Sequence, residues 1–128
     1  MTEKAGPFSR QVVLTLPGTD DVLVRRDLPW SDQTDRFVDV YRPADAEGHA
    51  LPAVVLVTGY PDPGFKAMTR RCMKDTAPYE SWTGLMAASG LAAVTYTNRD
   101  PVEDASAVMR YLADHGDTLG IDTDRFGI

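Results

Sequence analysis

The chain has 128 residues, an ordinary size for one domain, and its 43% hydrophobic and 25% charged residues are the composition of a folding chain rather than a disordered one. A formal net charge of −6 argues against a general binder of nucleic-acid backbones, with Arg25-Arg26 and Arg70-Arg71 the short basic candidates. One cysteine and two histidines exclude an internal disulfide framework and Cys- or His-rich metal centres.

No run approaches the about 18 apolar residues that span a bilayer, and the N-terminus has no signal-peptide core. The expectation is a cytoplasmic protein with no cofactor, no metal and neither nucleic acid nor membrane as partner.

The first third reads as short strands in an antiparallel meander. Gln11 to Leu16 is apolar-rich and ends on the turn signal Pro17-Gly18. Val22 to Leu28 is a second run, and Arg36 to Arg42 a third, in which Phe37, Asp39 and Tyr41 alternate with Val38 and Val40. The polar stretch Ser31 to Asp35 suits a hairpin connection.

After Pro43 the character changes. Ala53 to Val57 is apolar without alternation, as in a strand covered on both faces of a parallel sheet. Leu91 to Tyr96 is a second such run, and Arg125 to Ile128 begins a third. Helical patterns separate them. Tyr79, Trp82, Leu85, Met86 and Ser89 recur at spacings of three and four, with Thr76 as N-cap, Pro78 in the first turn and Gly90 as the stop. Trp82 and Met86 are expected in the core. In the next helix Asp100, Pro101 and Glu103 form a capping box, and Val102, Ala105, Val108, Met109 and Leu112 trace one face up to His115 and Gly116. The fold class is α/β: a β-meander leading into a βαβαβ unit with parallel strands.

The chemistry-bearing spot is Val57-Thr58-Gly59-Tyr60-Pro61-Asp62-Pro63-Gly64, directly after the first buried strand. Ligands of open α/β sheets bind beyond the carboxyl ends of strands. Gly59 permits a close backbone approach and Pro61 stiffens the turn, so that the Tyr60 N–H can face a developing oxyanion. The plain alternative is a turn-rich connection. The sixteen residues from Asp62 to Ala77 have no clear periodicity and read as a long loop. Phe65, Met68 and Met73 are its pocket candidates, and Lys66, Arg70, Arg71 and Lys74 make it basic.

From about Asp39 onward the chain resembles the front half of an α/β-hydrolase. The carriers are Asp39-Val40-Tyr41-Arg42-Pro43, the Thr58-Gly59-Tyr60-Pro61 loop, Ser81-Trp82 through Gly90-Leu91, and Glu103-Asp104-Ala105 through Arg125-Phe126-Gly127. The last stretch is similar to dienelactone-hydrolase-like esterases. The resemblance implies serine hydrolysis of a small ester or amide, with Tyr60 and Gly59 as the oxyanion loop and Thr58, Asp62 and Phe65 around the substrate. Two features depart from the family. Thr58 stands where a His is usual, and no G-x-S-x-G nucleophile elbow occurs in the sequence.

None of the serines Ser9, Ser31, Ser81, Ser89 and Ser106 has that context. Cys72 sits beside Arg70-Arg71, a setting that can lower a thiol pKa, but with no clear His partner it is expected to be inert. His49 reads as exposed, His115 as a helix-end cation, and Asp122 with Asp124 as a turn into a strand. The expectation is therefore a single, incomplete domain over 1–128, inactive alone. Rival readings are a noncatalytic module that self-associates through its open sheet edge, and part of an epoxide-hydrolase- or dehalogenase-like enzyme with an Asp nucleophile.

Overall fold

The computed structural model describes residues 16–30, 36–46, 48–59 and 61–128. Its elements run β1 (Val22–Pro29), β2 (Phe37–Pro43), β3 (Leu51–Val55), α1 (Asp62–Thr69), α2 (Ala77–Ala88), β4 (Ala92–Tyr96), α3 (Pro101–His115) and β5 (Ile121–Gly127). The strands form one sheet in the order β1-β2-β4-β3-β5. β1 pairs antiparallel with β2, and β2 antiparallel with β4, whereas β3 lies parallel to both β4 and β5. The helical connections account for this. Parallel neighbours need a crossover of a dozen or more residues, and α2 and α3 supply it.

The α/β class and its meander-to-parallel order match the expected pattern. Expected strand 11–16 lies outside the described residues except for Leu16, as does the connection over 31–35. Two boundaries differ instructively. Asp62 to Ala77 is not a structureless loop: it contains α1 and a 3₁₀ turn at Met73–Asp75. The Pro63-Gly64 pair disguised the helix, although proline in a first turn loses no intrahelical hydrogen bond. β5 also begins at Ile121 rather than Arg125, because it is an edge strand whose Asp122, Thr123 and Asp124 interrupt the apolar pattern.

Side chains alternate across the sheet. On the α3 side Val38, Val40, Ala53, Val55, Ala92, Val94 and Tyr96 pack with Val108, Leu112, Leu119 and Ile121. On the α2 side the buried apolar cluster is smaller: Tyr41, Ala87 and Ala93, with Val22, Val54 and Met86 against it. The Asp100 side chain caps α3 by accepting from the Glu103 N–H at 3.4 Å. Thr76 does precede α2, but its hydroxyl donates back to the Met73 carbonyl at 2.7 Å and makes no cap bond. Two expected core positions are solvent-facing: Val102 is 77% exposed and Trp82 is 49% exposed.

Candidate active site

β3 runs out at Val55, and the Leu56 N–H still reaches the Val94 carbonyl at 2.9 Å. The chain then leaves the sheet through Val57, Thr58 and Gly59 and enters α1 at Asp62, with Pro61 at the N-cap. Thr58 and Asp62 are buried, Gly59 is exposed and Phe65 is half-buried on α1. Tyr60 lies outside the described residues. Gly59 does not have a positive φ, and among the described residues beyond its chain neighbours a Cβ there would meet no atom within 4 Å. Nothing in the loop's own packing therefore demands glycine.

Asp62 is buried instead of bordering open space. Its Oδ1 accepts from the Met73 N–H at 3.0 Å and its Oδ2 from the Asn98 N–H at 2.5 Å. Carboxylate bonds to backbone N–H groups are charge-assisted and strong, so Asp62 joins α1, the 73–75 turn and the end of β4. Asn98 in turn donates its Nδ2 to the Thr58 carbonyl at 3.1 Å and to the Thr58 hydroxyl at 2.8 Å. Sequence reasoning missed Asn98. The available signal was a short amide side chain immediately beyond a buried strand.

A second polar assembly stands beside the first. Lys74 is 2% exposed, and its ammonium donates to Asp27 at 2.8 Å, Asp75 at 2.9 Å and both oxygens of Asp39 at 3.1 Å. Asp27 reaches it through a register shift in β1 and a left-handed φ of 56°, a conformation that Asp tolerates better than most residues. Its N–H also donates to Asp39 at 2.9 Å. Burial pulls the Lys74 pKa down, but the hydrogen bonds it donates to Asp27 and Asp75 and the charge of Asp39 outweigh it, and the net direction is up. Lys74 is thus no part of a basic rim. Its ammonium is held among three carboxylates.

Burial raises the Cys72 thiol above its ordinary value, helped by the charges of Asp62 and Asp75 and outweighing Lys66 and Lys74. The neighbouring Arg70 and Arg71 do not reverse this, in keeping with the expectation of an inert thiol. Burial likewise raises the phenols of Tyr79 and Tyr96. Met73 is buried while Met68 is 82% exposed, so those pocket candidates do not converge. Asp122 pairs with Arg125 at 2.7 Å and accepts from the Asp124 N–H at 3.0 Å. His115 closes α3 with its ring 5.2 Å from that of Tyr111. Among the described residues no group of three or more His, Cys, Asp or Glu side chains is arranged to hold a metal ion, and no helix is long and apolar enough to cross a membrane.

Beside the loop lies a groove of about 740 Å³, lined by Val54, Val57, Tyr79, Trp82, Met86 and Ile128 among others. It opens on the α2 side.

No family model matches the sequence, and no curated protein matches it. Solved structures do. Brefeldin A esterase, a bacterial homologue of human hormone sensitive lipase, aligns with a TM-score of 0.65 at 25% identity over 89% of this chain and 33% of its own. Esterase B from Lactobacillus rhamnosis gives 0.63 at 18% identity over 84% of this chain and 35% of its own. A truncated carbohydrate esterase from gut microbiota gives 0.59 at 16% identity over 83% and 38%. The chain thus spans about a third of the length of the solved esterases it matches.

Proposed function

We propose that this chain, which carries part of an α/β-hydrolase fold, is the N-terminal part of a serine hydrolase acting on an ester or amide bond. One observation carries the reading: the 58–62 loop sits between the central parallel strand β3 and the first helix, tied to the carboxyl end of β4. In this fold the loop after the third strand supplies one oxyanion-hole N–H, and the residue after the nucleophile supplies the other.

In the proposed mechanism a serine Oγ adds to the substrate carbonyl carbon. The carbonyl oxygen becomes an oxyanion and accepts the Tyr60 N–H. Collapse of the tetrahedral intermediate expels the alcohol or amine, and water then hydrolyses the acyl-enzyme. Gly59 leaves the approach to that N–H open, Phe65 borders the acyl or leaving group, and Thr58 and Asp62 act on the loop from beneath. One such donor lowers the barrier by about 3–4 kcal/mol and does not replace a nucleophile. The sequence contains no G-x-S-x-G, so in this reading the nucleophile is supplied from outside residues 1–128.

The exposed apolar groove at Val57, Trp82 and Ile128 supports a second reading, a noncatalytic module whose open side is covered by self-association. Sequencing the gene beyond the Ile128 codon separates the two. The hydrolase reading expects an open frame running into G-x-S-x-G. A stop codon there contradicts it and favours the module. An Asp at the elbow instead gives the epoxide-hydrolase- or dehalogenase-like chemistry.

A further inference from the structure

Both ends of the 58–62 loop are held by the same residue. At the near end the Asn98 side-chain amide donates to the carbonyl and the hydroxyl of Thr58, at 3.1 and 2.8 Å. At the far end the Asn98 N–H donates to the Asp62 carboxylate at 2.5 Å, and the Asp62 N–H returns a bond to the Asn98 carbonyl at 2.6 Å. The three residues are 2%, 5% and 0% exposed for Thr58, Asp62 and Asn98, so water does not compete for these bonds. Asp62 passes the restraint on to the 73–75 turn through the Met73 N–H at 3.0 Å.

We propose that Asn98 is the positioning residue of this loop, fixing its described ends at Thr58 and Asp62 and so restricting the stretch between them. The inference rests on the oxyanion reading of Tyr60 above. Its physical content is preorganisation: a donor already held in place pays no reorganisation when charge develops on the substrate. Only a side chain with a donor suits the near end. A carboxylate at position 98 would face the Thr58 carbonyl and stand beside the Asp62 carboxylate, and an aliphatic side chain would leave both Thr58 acceptors buried without that amide.

The test is amide hydrogen exchange by NMR on the full chain, comparing wild type, Asn98→Ala, Asn98→Asp and Thr58→Val. Gly59 and Tyr60 report the loop, since Pro61 has no N–H, and Ala93 to Thr95 in β4 report the core. Loss of the amide donor is expected to speed exchange at Gly59 and Tyr60 about tenfold and leave the core amides within about twofold. It also shifts the Thr58 carbonyl carbon resonance as its hydrogen bond is lost. Thr58→Val, which keeps the carbonyl acceptor, changes loop exchange less than about threefold.

Unchanged loop amides in both Asn98 variants overturn the proposal, and so does an equal rise in loop and core, which marks Asn98 as a fold-holding residue only. Asn98→Asp, close in volume to asparagine, keeps the test alive if Asn98→Ala does not fold. In the polypeptide that supplies the nucleophile, Asn98→Ala is expected to lower kcat about tenfold to a hundredfold with KM within about threefold. A wild-type polypeptide with no ester turnover refutes the oxyanion reading, while the exchange result still decides whether Asn98 clamps the loop.

Discussion

The two faces of the sheet are built from the same strands and do different work. Toward α3, alternate residues of β2, β3 and β4 are apolar or aromatic and close over Val108 and Leu112, both fully buried. Toward α2, the intervening positions include Asp39 and Thr95, also buried, and the Lys74 cage stands over them. The same side leads to the apolar groove and its exposed Trp82 and Val57. One face is a packed core that buries its strands. The other combines a charged tie, a small apolar cluster and an uncovered opening, and the candidate oxyanion loop rises at its edge. One side holds together by apolar packing and the other by a buried charged tie, with the candidate chemistry next to the second.

The largest effect is expected where the contrast is sharpest. Lys74→Ala leaves Asp39 buried without its ammonium, which should cost about 3–5 kcal/mol in urea unfolding. The double variant Lys74→Met with Asp39→Leu should cost less than Lys74→Ala, because no charge is left stranded. If the single variant costs under about 1 kcal/mol, the cage is only a solvated surface network and the contrast between the faces weakens. On the other face Leu112→Ala should cost about 2–5 kcal/mol, through lost transfer energy plus a cavity.

The alkaline limb of stability provides a third, smaller test. Lys74 is raised above its ordinary 10.5, and burial raises the phenols of Tyr41, Tyr79 and Tyr96 above their ordinary 10.0. In each case folding favours the protonated form. Their contribution is complete below the unfolded values and is lost as pH climbs toward the folded ones. The urea midpoint should therefore hold steady between about pH 7 and 9 and fall above about pH 10, less steeply in Lys74→Met. Smallest of all, Val57→Thr at the groove should change stability by no more than about 0.5 kcal/mol, since it alters an exposed surface. A large loss there would mean the groove is packed in solution, as the self-associating module requires.

What was legible in the sequence follows from range. β2 announced itself because strand alternation is local, and α3 because its capping box and apolar stripe lie within one helix. α1 was hidden by Pro63 and Gly64 at its start, and β5 by the polar residues of an edge strand. Thr58, Gly59 and Asp62 were legible as a connection leaving the end of a buried strand. The roles of Asp62 and Lys74 were not. Asn98 meets Thr58 from 40 positions away and Asp62 from 36, and Lys74 meets Asp27 from 47. No periodicity carries such pairings. Lys74 therefore read as part of a basic rim, when its three carboxylate partners come from β1, β2 and the next residue.

In the proposed hydrolase, residues 1–128 contribute the oxyanion loop and no nucleophile. The most direct test of this is turnover of an activated ester, such as a p-nitrophenyl butyrate, by the purified chain, with and without a fluorophosphonate inhibitor. The expected result is no turnover above the uncatalysed rate and no covalent labelling of a serine. Turnover that the inhibitor abolishes would contradict it, because a serine within residues 1–128 would then be performing the chemistry.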